Sequence, residues 1–134
     1  MLFGKEHVDR YIETNGEEGF TWREGTEILI LTTTGRKTGE QRSNALIFGR
    51  SGDDHLVVGS VGGRPKPPAW YLNLQANPEV TVQVKGDRFA ARARTANDEE
   101  KPALWKIMTS AWPHYDEYQT RTDRVIPVVI LTRI

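Results

Sequence analysis

Turn signals follow one another too closely in this chain for long helices to fit between its apolar runs. Glu27 to Thr34 (EILILTTT), Arg42 to Arg50 (RSNALIFGR), His55 to Ser60 (HLVVGS), Val80 to Val84, Arg88 to Thr95 and Ile126 to Arg133 are short and β-branched or alternating. Such runs read as strands. Gly35 to Gly39, Ser51 to Asp54 and Lys85 to Asp87 join successive runs through a few residues each. Parallel neighbours need a crossover of roughly a dozen residues or more, so these strands must pair antiparallel. Three helices fit around them. Val8, Tyr11 and Ile12 predict an amphipathic helix over Lys5 to Thr14, stopped near Asn15-Gly16. Pro68 opens a helix over Ala69 to Asn77, and Asn77-Pro78 closes it. Asn97 or Thr95 caps a third, with Asp98, Glu99 and Glu100 in its first turn. Its apolar stripe is Leu104, Ile107, Met108 and Ala111, and Pro113 ends it. Trp112 to Tyr118 (WPHYDEY) reads as aromatic and irregular. The expected class is α+β, mainly β: an antiparallel sheet or barrel of about six strands with a few short helices.

Length and composition narrow the function. At 134 residues the expectation is one domain over 1–134. Lys plus Arg is 18 and Asp plus Glu is 18, so the chain lacks the basic excess of a nucleic-acid binder. It has no cysteine, which excludes disulfides, zinc fingers, iron–sulfur clusters and a thiol nucleophile. No apolar run is long enough to span a bilayer, and MLFGKEHVDR is too charged for a signal peptide. We therefore expect a cytoplasmic protein with no stable membrane insertion.

Three segments could carry chemistry. In Thr32 to Arg42 (TTTGRKTGEQR) two glycines bracket Arg36, Lys37 and Thr38, and Arg42 opens the next strand. A glycine turn exposes backbone N–H groups, and the cations add charge-assisted donors, so the segment is either a phosphate or carboxylate site or a solvated hairpin turn. In Ser60 to Asn73 (SVGGRPKPPAWYLN), Gly62-Gly63 lets a planar ligand approach the backbone, Trp70 could stack on a ring and Asn73 could hydrogen-bond it. The alternative there is a core tryptophan beside an empty loop. Trp112, Tyr115 and Tyr118, three residues apart, are either a substrate mouth or a core stripe. His7, His55 and His114 lack metal-ligand spacing and read as solvated. No hydrolase or metal motif is present, so the reactive group of an enzyme here would be a bound cofactor.

Taken in order, Thr32 to Arg42, Ser60-Val61-Gly62-Gly63, Pro68 to Leu74 (PAWYLNL), Ala76-Asn77-Pro78, Trp112 to Tyr118 and Thr122 to Val129 (TDRVIPVV) resemble the deazaflavin (F420)-dependent nitroreductase family. The resemblance runs from about Glu27 to the C-terminus. It implies a split β-barrel that binds coenzyme F420 and passes a hydride to a small organic acceptor: a quinone, an enone or a nitroaromatic. By analogy Arg36, Lys37, Thr38 and Arg42 would hold the cofactor's phosphate and glutamyl tail. Asn44, Ala45, Leu46 and Ile47, with Ser60, Val61, Gly62, Gly63, Ala69, Trp70 and Asn73, would border its ring. Trp112, Tyr115 and Tyr118 would face the substrate, and Ser60, Tyr115 and Tyr118 would be the catalytic side chains. Split barrels of this type suggest a homodimer. The chain departs from the family pattern at Ala45-Leu46-Ile47, often Pro-Leu-Tyr, and at Val61, often Lys, which leaves Arg64 or Lys66 as replacement cations. Trp112 replaces the tyrosine of the best-known nitroimidazole-reducing member, which counts against turnover of nitroimidazoles. Two other readings fit the same barrel: a non-catalytic carrier of F420 or an apolar ligand, and an FMN-dependent oxidase, whose cofactor would leave the basic turn less to do.

Overall fold

The computed structural model describes residues 2–134. Its elements are α1 (Gly4–Thr14), β1 (Ile28–Thr34), β2 (Gln41–Ile47), β3 (Gly49–Ser51), β4 (Asp54–Val58), α2 (Ala69–Ala76), β5 (Glu79–Val84), β6 (Asp87–Thr95), α3 (Lys101–Ala111), α4 (His114–Thr120) and β7 (Val128–Arg133). Single 3₁₀ turns lie at Arg23–Gly25 and Val61–Gly63. The strands form one antiparallel sheet in the order β2-β1-β5-β6-β7-β4-β3.

The two edge strands of that sheet are consecutive in the chain. β2 and β3 are separated by Phe48 alone, so the sheet curls until its first and last strands are one bent segment. The expected six runs become seven strands because one of them is divided here. The run Arg42 to Arg50 looks continuous, but its first part pairs with β1 (Leu31 opposite Asn44) and its last part with β4 (Arg50 opposite His55). Phe48, buried in the core, marks the bend.

Burial explains the patterns along the strands. β6 alternates, turning Phe89, Ala91 and Ala93 inward. β1 does not alternate because both its faces are covered. Leu29 and Leu31 join Val57, Trp70, Val82 and Leu131 in the barrel core. Ile28 and Ile30 lie on the other face beneath Val8 and Tyr11 of α1. The Tyr11 hydroxyl donates to the Ile28 carbonyl at 2.9 Å and accepts from the Lys85 N–H at 2.7 Å, fastening α1 to β1 and to the β5–β6 turn. A further cluster, Leu104, Met108, Trp112, Tyr115 and Ile130 among it, packs α3 and α4 against β7. α3 is preceded by a turn capped by Asn97, whose Oδ1 accepts from the Glu99 and Glu100 N–H groups at 3.1 and 2.9 Å.

Two further expectations are corrected. The stretch read as irregular contains α4: Pro113 stands at its N-cap, and Asp116 and Glu117 in its first turn suit the positive end of the helix. His7 and His55 are buried, not solvated. His7 Nε2 lies 2.8 Å from the Gly19 carbonyl, and the His55 ring lies between Phe48 and Phe89, with centroids 5.6 and 5.4 Å away. Among the described residues no helix is long and apolar enough to cross a membrane, and no group of three His, Asp or Glu could hold a metal.

Candidate active site

The mouth of the barrel opens into a cleft of about 1330 Å³, walled by the β1–β2 turn, β2, the turn after β4, the start of α2, the α3–α4 corner and α1. Every residue assigned from the sequence to the cofactor or substrate site borders this cleft except Gly63, which is buried; Arg64 and Lys66, named as replacement cations, do not line it.

One end is cationic. The β1–β2 turn is closed by Gly35 N–H donating to the Glu40 carbonyl at 2.7 Å and Gly39 N–H donating to the Gly35 carbonyl at 2.8 Å. A Cβ on Gly35 would stand 3.0 Å from Thr38 Oγ1 and 3.2 Å from the Glu40 carbonyl, so only a hydrogen fits without movement. Arg36, Lys37 and Thr38 are exposed on it. Asn73 of α2 holds the turn from below. Its Oδ1 accepts from both the Arg36 backbone N–H and Nη1, each at 3.1 Å, and its Nδ2 donates to Thr33 Oγ1 at 3.2 Å. Arg42, exposed at the start of β2, meets Glu40 at 3.1 Å. Of the described residues lining the cleft, the one carboxylate is Asp9, and Lys5 Nζ holds it at 2.7 Å. Lys5, Arg36, Lys37 and Arg42 therefore leave the cleft net positive.

The middle is walled by backbone and flat rings. Val61, Gly62 and Gly63 take φ of 45°, 63° and 81° in succession. Glycine does this freely, whereas positive φ on a β-branched valine is strained by about 1–3 kcal/mol. A Cβ on Gly62 would meet nothing within 4 Å, so this turn presents bare backbone. Ser60 lines the cleft at 8% exposure, and its hydroxyl makes no hydrogen bond among the described residues. Trp70 answers both readings made of it: it is 6% exposed within the barrel core and still forms part of the cleft wall.

The far end is aromatic. Trp112 and Tyr115 belong to the cluster under α3 and α4, and Tyr118 packs at its edge. All three line the cleft. Trp112 Nε1 donates to the Tyr118 hydroxyl at 3.3 Å, and the Tyr115 and Tyr118 rings meet edge to face at 6.1 Å. Burial, reinforced by Tyr118, pushes the Tyr115 phenol above its ordinary range, so it stays protonated at neutral pH. Trp22 was not singled out from the sequence. It stands at the N-cap of the 3₁₀ turn Arg23–Gly25, packs on Trp112 with ring centroids 5.9 Å apart and lines the cleft with Phe3, Val8 and Ile12. The only signal in the sequence was the apolar stripe of α1, which reads equally as core.

Comparison with known proteins agrees with this geometry. A family model described as F420H(2)-dependent quinone reductase matches residues 3–133. An F420H(2)-dependent quinone reductase of Mycobacterium tuberculosis is 42% identical over 130 residues, covering 95% of this chain and 87% of its own. Among solved structures, an F420-H2 dependent reductase is 43% identical with a TM-score of 0.72, over 78% of this chain and 92% of that one. Another, described as a domain-swapped dimer, is 39% identical with a TM-score of 0.76 over 95% of each chain. The split barrel, the net positive cleft with its aromatic far wall and these matches lead to one conclusion: the chain belongs to the F420H2-dependent quinone reductase family.

Proposed function

We propose that this protein reduces a quinone-type acceptor inside the cleft, with coenzyme F420 held by the cationic turn and the acceptor by the aromatic wall. The observation that carries the reading is the polarity of one cleft, cationic and exposed at one end, aromatic and buried at the other. The residues present fit F420. Arg36, Lys37, Thr38 and Arg42 offer charge-assisted donors for its phosphate and acidic tail, Gly62 offers a wall without side chain, and Ser60, Trp70 and the Asn44–Ile47 edge border a flat ring. When bound, reduced F420 supplies the hydride.

The protein's own work is orientation and protonation. Asn73 fixes Arg36 before any ligand arrives, so less freedom is lost on binding. Trp112 and Trp22 form a stiff apolar wall against which an acceptor ring lies close to the cofactor ring, the near-attack arrangement that lowers the barrier. The Tyr118 hydroxyl accepts from Trp112 and keeps its own proton to donate. Tyr115, held protonated and making no hydrogen bond among the described residues, is the other acid within reach of the acceptor oxygen. Family membership favours this enzyme over a non-catalytic carrier. A single cytoplasmic domain that pairs as a homodimer completes the proposal, supported by the domain-swapped relative.

The test is a fluorescence titration with F420 and, separately, FMN, followed by turnover of a soluble quinone with reduced F420. Binding of F420 with quinone reduction is expected. Binding of FMN alone would overturn the cofactor, and F420 binding without turnover of any acceptor would overturn the enzyme. Sedimentation gives the oligomeric state, with a dimer expected.

A further inference from the structure

The turn that walls the middle of the cleft is held by a residue that lines no part of it. Arg124, half-buried in the segment between α4 and β7, donates from Nη1 to the Gly59 carbonyl at 3.0 Å and from Nη2 to the Ser60 carbonyl at 2.9 Å. Its Nε and Nη2 both reach the Arg64 carbonyl at 3.2 Å. No carboxylate pairs with it among the described residues, so its charge is directed wholly at three backbone oxygens flanking Val61, Gly62 and Gly63. These are the residues of consecutive positive φ, and Val61 at 45° is the strained one. Such a conformation persists only where its surroundings over-determine it. Within the turn, Gly63 N–H donates to Ser60 at 2.9 Å and Arg64 N–H to Val61 at 3.2 Å. Both bonds lie within the turn and tie it to nothing outside.

Arg124 is itself held by α4. Gln119 Nε2 donates to the Arg124 carbonyl at 2.7 Å, and Gln119 Oε1 accepts from the Ile126 N–H at 2.9 Å. On the same side Gly63 packs so tightly that a Cβ there would lie 2.3 Å from the Tyr118 carbonyl. We propose that Arg124 is a positioning residue: its guanidinium fixes the strained Ser60–Gly63 turn and ties it to the helix that carries Tyr115 and Tyr118. The cofactor wall and the acceptor wall then hold one spacing. The inference rests on the cleft being the F420 site. An ammonium cannot replace the guanidinium, because the three carbonyls need its planar fork.

The experiment compares wild type, Arg124→Gln, Val61→Gly and the double variant by F420 fluorescence titration, well below the lowest melting temperature. Arg124→Gln is expected to raise the F420 Kd about tenfold to a hundredfold with Arg36 and Lys37 intact. Val61→Gly alone supplies the baseline against which the double variant is read. The double variant should recover most of the loss, because glycine accepts positive φ without the clamp. A Kd within about twofold of wild type in Arg124→Gln, or a double variant that binds no better, overturns the proposal. A merely structural Arg124 would lower the melting temperature and leave Kd in place. Amide hydrogen exchange supplies an arm independent of F420: Gly63 and Arg64 should exchange faster in Arg124→Gln and regain protection in the double variant, and unchanged exchange overturns the proposal as well. If wild type binds no F420, the reading of the cleft fails and the exchange arm alone decides the role of Arg124. If Arg124→Gln does not fold, Arg124→Lys carries the same comparison.

Discussion

The two ends of the cleft are built in opposite ways. Arg36, Lys37 and Arg42 stand exposed on a hairpin turn, and apart from the Glu40 ion pair and the Asn73 amide little of the fold depends on them. Trp112 and Tyr115 are 8% and 5% exposed and form part of the core under α3 and α4. Substitution at the cationic end can therefore spare the fold, whereas any change at the aromatic end disturbs core packing.

The largest expected effect is on binding. Replacing Arg36 and Lys37 together by alanine removes two charge-assisted contacts, about 3–6 kcal/mol gross, so the F420 Kd should rise at least about a hundredfold by titration. The melting temperature should hardly move, and a collapse of it would end the contrast between the two ends. Trp112→Ala should do the reverse, lowering unfolding free energy by about 3–5 kcal/mol in denaturant while its F420 affinity changes less. An unfolding curve like that of wild type would mean that this wall is not core. Asn73→Ala sharpens the comparison from between the ends. It leaves Arg36 and the buried Thr33 hydroxyl without their partner, about 1–3 kcal/mol, which should divide between a lower melting temperature and a weaker Kd. If only Kd moves, Asn73 serves the cofactor and not the fold.

The smallest effect is on the pH dependence of stability. Burial, with help from Arg50 and Arg133, lowers the pKa of His55 below 6.5. The unfolded chain then binds the proton more tightly than the folded one, so this contribution is fully present above 6.5 and is lost as pH falls toward the folded value. His114 works oppositely. Its contacts with Glu117 and Glu24 raise its pKa, so its contribution is present below 6.5 and lost as pH rises through the folded value. Denaturant unfolding at several pH values should show a steeper acid loss in His114→Gln and a flattened one in His55→Phe. A profile that neither variant alters would remove both assignments.

Much of the sheet was legible because period-two alternation and turn residues are local signals, as in β6 and the Lys85–Asp87 turn. The bend at Phe48 was not, because only long-range pairing, with β1 on one side and β4 on the other, separates the two halves of that run. α4 was hidden by the aromatic density of WPHYDEY, although Pro113 with Asp116 and Glu117 already spelled a helix start. In the site, the cations, glycines and aromatics were visible as residue types. What could not be read was who holds whom. Asn73 was expected to hydrogen-bond a ring, yet in the fold its amide is engaged by Thr33 and Arg36. Arg124 carries no local motif that points 60 residues back to the turn it clamps.

The strand order has a consequence for how the molecule comes into being. β7, residues 128–133, is not at an edge but between β6 and β4. Its pairs with β4, such as His55 with Leu131, join segments far apart in the chain. Until those residues have been synthesised, the sheet exists as two separate pieces, β2-β1-β5-β6 and β4-β3. Each piece has an unpaired edge, β6 in one and the apolar β4 in the other, and unpaired strand edges are where chains stick to one another. β7 is thus the strand that joins the two pieces into one sheet.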